Sequence, residues 1–396
     1  IALSANAEIS GADETYLIKT DGSFEIQNLE RFAVLAGRDL SGSAKASLGG
    51  TVGPTDLSFD LWITAETDGL ALGLANLDPL LSGPATGSGR IIRDGGGVRI
   101  EGLNAQGRSF SAKGAAAVTS KSIEADLLVD LTDLALAVPG LSGPATLWFI
   151  ARPDGLGATQ LDVRATSAME TLALKGTIPE RAPRSFVGAA TVSARDLSRF
   201  EQLAGIRLGG TGDARIDGRI TLDLAEFDLA GAATTSDLRL FDDAFDPLLA
   251  GDGQMEIAVH RRAGGRVDIP SLSVATSGLA FSGGLVRQDG ASQAEFSGKI
   301  PDIGLLAEEF GGPIEAQGAA TLGDDARWTL QGVSVSGPGG LRAQIDGTLD
   351  EALEADLRLS GALPLGLLNR VLEPRRAAGM ASFDLSLKGA LDSATL

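Results

Sequence analysis

Over most of this chain an apolar residue stands at every second position, and glycine falls in the same phase. In Leu172-Ala173-Leu174-Lys175-Gly176-Thr177-Ile178 the even-numbered residues are Leu, Leu, Gly and Ile. The texture recurs at Phe110, Ala112, Gly114, Ala116 and Val118, and at Leu279, Phe281, Gly283 and Leu285. It returns at Ala343, Ile345, Gly347 and Leu349, and at Phe383, Leu385, Leu387, Gly389 and Leu391. A period of two is that of a β-strand, whose successive side chains leave on opposite faces. Each stretch therefore reads as a strand with one oily and one wet face.

Turn residues separate these stretches, as in Arg93-Asp94-Gly95-Gly96-Gly97 and Gln288-Asp289-Gly290. Short strands joined by short turns make an antiparallel meander. Helical signals punctuate it. Asn28 to Gly37, Asp196 to Gly205 and Asp302 to Gly311 each begin with a capping Asn or Asp, continue with apolar residues at helical spacing and end in Gly. Pro364 to Leu372 is a fourth, and looser relatives begin at Asn76, Asp133 and Asp243. These starts divide the chain into units 28–75, 76–132, 133–195, 196–241, 242–301, 302–363 and 364–396, each about 45 to 65 residues long.

With no linker or charge block between units, 1–396 reads as one extended body. At 12 to 14 residues per strand and turn, the spacing predicts on the order of 30 strands spanning about 140 Å. The expected fold is all-β with a few short helices: an elongated antiparallel sheet that curls into a U-shaped groove, apolar inside and acidic outside. In-phase glycine then gives the sheet room to bend.

Composition narrows the function. With a net charge of −19 the surface repels phosphate backbones. An anionic membrane surface is equally unfavourable, so any dealing with lipid must run through apolar contact. There is no Cys, which removes disulfides, thiol chemistry and cysteine metal sites. The 53 Gly far exceed the usual share of about 7%, which suits a turn-rich sheet and not a helical bundle. No stretch reaches the ~18–20 apolar residues of a spanning helix. Opening at Ile1 with no charged leader, the chain reads as an internal piece of a longer protein.

No constellation of catalytic residues emerges. His260, in Val259-His260-Arg261-Arg262, has no second His or Cys to share a metal and reads as an exposed strand-end residue. Acidic residues such as Glu124, Asp126 and Asp130 alternate with Ile123, Leu127 and Val129, as a solvated outer face does. Gly95 to Gly97 and Gly311-Gly312 do not repeat calcium β-roll spacing, and no nucleotide-binding fingerprint appears. Trp62, Trp148 and Trp328 are scattered, as packing or surface residues would be. The helical stripes, such as Leu197, Phe200 and Leu203, read as cover for part of the groove. The chain is expected to be non-enzymatic, with no cofactor and no metal.

The strands LALKGTI (172–178), LAFSGGL (279–285), LRAQIDGTL (341–349) and FDLSLKGAL (383–391), with the interspersed D-φ-x-x-φ…G helices, resemble the TamB and AsmA-like bacterial envelope proteins. The resemblance runs through the whole chain as texture. It implies a long β-groove crossing the periplasm of a Gram-negative bacterium, held in the inner membrane by a segment outside this sequence. It also implies phospholipid acyl chains as cargo and a TamA-like outer-membrane β-barrel as partner, contacted through other regions.

Two functions follow as expectations. One is a lipid conduit, with acyl chains lying along Leu57, Phe59, Leu61, Ile63, Phe110, Val118, Leu172, Leu174 and Ile178. That path continues along Leu279, Phe281, Leu285, Phe296, Ile300, Ile345, Leu349, Phe383, Leu385 and Leu387. The alternative is a scaffold that helps outer-membrane proteins assemble by strand addition at a sheet edge. A polysaccharide-active β-helix ranks last, because no convergent acidic cluster is visible.

Overall fold

The structure, a computed structural model, describes residues 2–12, 15–75, 77–119, 122–180, 184–288, 291–308, 310–323, 327–350, 354–370 and 376–390. The chain divides into two units, residues 1–193 with 199–205, and residues 194–198 with 206–396. Both are built almost wholly of strands.

The first unit holds β1 (Ala2–Ala12), β2 (Thr15–Ile26), β3 (Ser41–Gly53), β4 (Ser58–Ala71), β5 (Ala85–Asp94) and β6 (Gly97–Gly107). It continues with β7 (Phe110–Val118), β8 (Ile123–Leu131), β9 (Ala145–Pro153), β10 (Ala158–Ser167), β11 (Glu170–Pro179) and most of β12 (Ser185–Ala194). From β1 to β11 each strand pairs antiparallel with the next.

The second unit holds β13 (Gly209–Thr221), β14 (Phe227–Arg239), β15 (Asp252–Arg261), β16 (Val267–Ala275), β17 (Ala280–Gln288) and β18 (Ala291–Ile300). After these come β19 (Ile314–Leu322), β20 (Arg327–Ser336), β21 (Arg342–Asp350), β22 (Glu354–Pro364) and β23 (Met380–Ala390), again paired in sequence order. Among the described residues β1 pairs only with β2 and β23 only with β22, so the sheet is not closed into a barrel. The all-β, antiparallel expectation is met. There are 23 strands among the described residues instead of about 30, because several run to 13 or 14 residues.

The helical segments are single turns. They lie at Leu29–Phe32 with Ala33–Ala36, Asp78–Leu81, Leu134–Leu136, Leu197–Phe200 with Glu201–Ala204, Asp246–Leu249, Ile303–Leu305, Pro338–Gly340 and Leu365–Arg370. The expected caps hold for three of them. Asn28 accepts from the Glu30 amide at 2.8 Å, Asp196 from Ser198 at 3.0 Å and Asp302 from Gly304 at 3.0 Å. Elsewhere the expectation shifts. Asp242 and Asp246, not Asp243, accept the amides around the turn 246–249, and Gly312, not Gly311, takes the positive φ that closes the third segment. Asn76, Val371 and Leu372 lie outside the described residues.

All these turns follow even-numbered strands. Alternate strands of a meander end at the same rim, so within each unit the helical turns share one rim and the hairpins that leave odd-numbered strands share the other.

The turns also expose a longer period. Leu29–Phe32 recurs as Leu197–Phe200, Asp78–Leu81 as Asp246–Leu249, and Ser41–Gly53 as Gly209–Thr221, each 168 residues on. Backbone detail repeats with it. Positive φ at Gly37, Gly42, Gly50, Gly69 and Gly73 recurs at Gly205, Gly210, Gly218, Asp237 and Phe241. Asp133 accepts from the amides of Ala135 and Gly143, and Asp302 from those of Gly304 and Gly312. The unit of repetition is thus ten strands, divided by helical turns into groups of two, four and four. The intervals of 45 to 65 residues seen in the sequence are its three parts.

Candidate functional site

Residues opposite one another in register share a face of the sheet. One such row in the first unit runs Leu3, Phe24, Ala46, Ala65, Gly87, Ala105, Ala112, Val129, Leu147, Ala165, Leu172. It crosses eleven strands without a polar side chain. The adjacent row, on the other face, carries Ser23, Ser47, Thr64, Ser88, Asn104 and Lys113. In the second unit the corresponding apolar row is Ala214, Ala233, Met255, Val274, Phe281, Gly298, Ala316, Val335, Ala343, Gly361, Phe383.

Three β-bulges keep this sorting intact. In β6 the apolar phase passes from Ile100 to Leu103, in β16 from Ile269 to Leu272 and in β20 from Leu330 to Val333. In β6 and β20 the extra residues include Gly102 and Gly332, both at φ 60°, a conformation glycine adopts without steric cost. Each bulge shifts the alternation by one so that the later residues return to the apolar face.

Nothing seals that face. Among the described residues no large side chain is fully buried, and most buried apolar residues are alanines. Leu172 is 39% exposed, Val118 52% and Leu385 53%, where a packed core would leave almost nothing. The helical turns cover only one rim: Leu197 approaches the position of Gly212, and Leu248 lies against Gly278. Along β4 the apolar side chains Phe59, Leu61, Ile63 and Ala65 are half-buried while Trp62, Thr64 and Glu66 are exposed, so the oily side is the more enclosed.

Of the residues expected to line a groove, Phe59, Leu61, Ile63, Phe110, Val118, Leu172, Leu174 and Ile178 share the apolar face of the first unit. Phe281, Leu285, Phe296, Ile300, Ile345, Leu349, Phe383, Leu385 and Leu387 share that of the second. Two lie off the strands. Leu57 sits in the turn before β4 at φ 56° and is 63% exposed. Leu279 precedes β17, its carbonyl accepting from the Thr276 amide at 2.8 Å. Leu103, Leu272 and Val333 were missed because a strict every-second-residue template ends at a bulge; the signal was φ-x-G-φ or φ-P-S-φ inside a strand.

In-phase glycine has a different cause from the bending room first assigned to it. A Cβ on Gly114, at φ 151°, would stand 2.0 Å from the Asp126 carbonyl oxygen. Gly298 and Gly361, by contrast, lie in register beneath Phe281 and Phe383, whose rings cover them.

The opposite face is a lattice of exposed ion pairs. Arg90 donates to Asp60 at 2.6 Å and 2.5 Å, Lys299 meets Glu315 at 2.8 Å, and Arg358 meets Asp384 at 2.7 Å. The Arg90 hydrogen bonds hold the Asp60 carboxyl below its ordinary range. Trp62 and Trp148 stand on this side, Arg90 above the Trp62 ring, whereas Trp328 is on the apolar face between Leu322 and Leu349. His260 is 3.5 Å from Asp228. Among the described residues no three His, Cys, Asp or Glu gather where a metal would sit, and no helix is long and apolar enough to cross a membrane.

No protein-family model, curated protein or solved structure matches the chain.

Proposed function

We propose that each unit's apolar face is a track for lipid acyl chains, and that the chain is a non-enzymatic periplasmic lipid conduit of the TamB and AsmA-like kind. The observation that carries this reading is an unbroken apolar face, eleven paired strands wide in each unit, with no layer packed over it. Such a face in water demands an occupant. Each methylene buried contributes about 0.8 kcal/mol, so an acyl chain is held firmly by a surface of plain Leu, Val, Phe and Ala. Nothing in that surface fixes one position along the track, so a chain can slide.

The test compares substitutions on the two faces. Leu174→Asp and Phe281→Asp place a charge on the apolar side; Ala173→Asp and Ser282→Asp, one residue away, place it on the wet side. Lipid carried by the purified chain, measured by mass spectrometry, is expected to fall severalfold for the first pair and stay at the wild-type level for the second. Equal lipid in all four would end the conduit reading. A photocrosslinker at Leu174 is expected to capture lipid; capture of polypeptide instead would favour a strand-adding assembly scaffold.

A further inference from the structure

The apolar face carries very few charges, and their placement follows a rule. In the first unit Arg93, the penultimate residue of β5, lies in register between Phe59 and Val98. In the second unit Arg261, the last residue of β15, lies between Phe227 and Val267. The two arginines are 168 residues apart, so they hold the same place in the ten-strand repeat, as do Phe59 and Phe227. Both stand at the hairpin rim, away from the helical turns. Arg287, at the same rim on β17, shares the face and is tied through its backbone amide to Asp268 at 3.1 Å. The carboxylate on this side of the first unit, Glu170, is at the opposite rim and is already paired with Arg199.

Arginines on the wet face are matched to carboxylates: Arg164 meets Asp162 at 2.8 Å and Arg215 donates to Asp217 at 2.7 Å. Among the described residues neither Arg93 nor Arg261 has an acidic side chain in ion-pair reach. Arg261 Nε is shut off from solvent with no hydrogen-bond partner. A guanidinium that emerges from an oily surface, lacks a protein anion and recurs once per repeat is a seat for an anion supplied by the ligand. The overall charge of −19 does not oppose this at close range. The acids project from the other face, and salt screens separations beyond about 8 Å.

We infer that Arg93 and Arg261 each hold the phosphate of an anionic phospholipid at the hairpin rim, its acyl chains lying across the apolar face towards the helical rim. This rests on the conduit reading and adds a headgroup preference and an orientation to it.

The experiment uses the full chain, incubated with vesicles containing equal amounts of phosphatidylglycerol and diacylglycerol of the same acyl composition, with bound lipid read by native mass spectrometry. The wild type is expected to take phosphatidylglycerol over diacylglycerol by about tenfold, the worth of one charge-assisted hydrogen-bonded contact. In the Arg93→Gln/Arg261→Gln double variant the ratio is expected to fall to near one, while total bound lipid stays within about twofold, since the methylene contacts are untouched. Arg93→Lys/Arg261→Lys is expected to retain part of the preference, and Arg164→Gln/Arg215→Gln on the wet face all of it. A wild-type ratio near one, or a preference that survives in the double Gln variant, overturns the headgroup seat and leaves the conduit standing. No lipid of either kind on the wild type overturns both.

Discussion

Gly114 shows how narrowly single positions are constrained. A Cβ there meets the Asp126 carbonyl oxygen at 2.0 Å with the backbone at φ 151°, so Gly114→Ala is expected to cost about 2–4 kcal/mol. Gly95→Ala, where a Cβ meets nothing within 4 Å, is expected to be neutral; urea unfolding followed by tryptophan fluorescence distinguishes them. The capping carboxylates give the residue scale a pH signature. Asp133 is held below its ordinary pKa by the amides of Gly143 and Ala135, and Asp302 by those of Gly304 and Gly312. A depressed folded pKa means stability that is fully present above the unfolded value of about 3.9 and lost as pH falls through the lower folded value. The melting temperature is therefore expected to hold level above about pH 5 and to drop below about pH 4. Asp133→Asn/Asp302→Asn should make that acid limb shallower; an unchanged limb would show that these caps do not carry it.

Among elements, the helical turns differ in what they bury although they share a rim. Leu248 and Leu249 are 5% and 7% exposed, whereas Val34, in the turn before β3, is 94% exposed. Leu248→Ala is expected to cost about 2–4 kcal/mol and Val34→Ala close to nothing, compared by thermal denaturation. The Arg199–Glu170 pair fixes another turn, with side chains 19% and 9% exposed and Ser167 also bonded to Glu170. Glu170→Ala strands the Arg199 guanidinium and is expected to destabilise by about 3 kcal/mol, more than Glu170→Gln, which keeps a hydrogen-bond acceptor. These turns were legible from cap to closing glycine, because capping is local chemistry. Their brevity was not. Apolar residues at helical spacing suggested ten-residue helices, but a rim offers a turn only the sheet edge to pack on, and most end after one cycle.

At the scale of the whole molecule, each strand is stabilised by its immediate neighbours, as in repeat proteins generally. Removal of residues 28–195 joins Gln27 to Asp196 and puts the second copy's helical turn where the first copy's stood. Such a chain is expected to keep its β circular dichroism per residue and its cooperativity. Loss of folded structure would mean that the ten-strand copies are not equivalent. The 168-residue period was present in the sequence, since the helical starts at 28 and 196, 133 and 302, and 196 and 364 already carry it. Shorter intervals of similar length masked it, because the same cap-and-glycine device closes all three parts of a copy.

The sequence by itself determined the strand class, the antiparallel order and which side chains are oily. Alternation is a property of one strand's own backbone, and short turns force neighbours to pair. Only the tertiary structure decided where the phase is reset, which rim carries the helical turns, and that Arg93 and Arg261 share a face with Leu61 and Ile257. Those depend on register, and register is set jointly by two strands, through bulges such as Glu101-Gly102 that neither strand specifies alone.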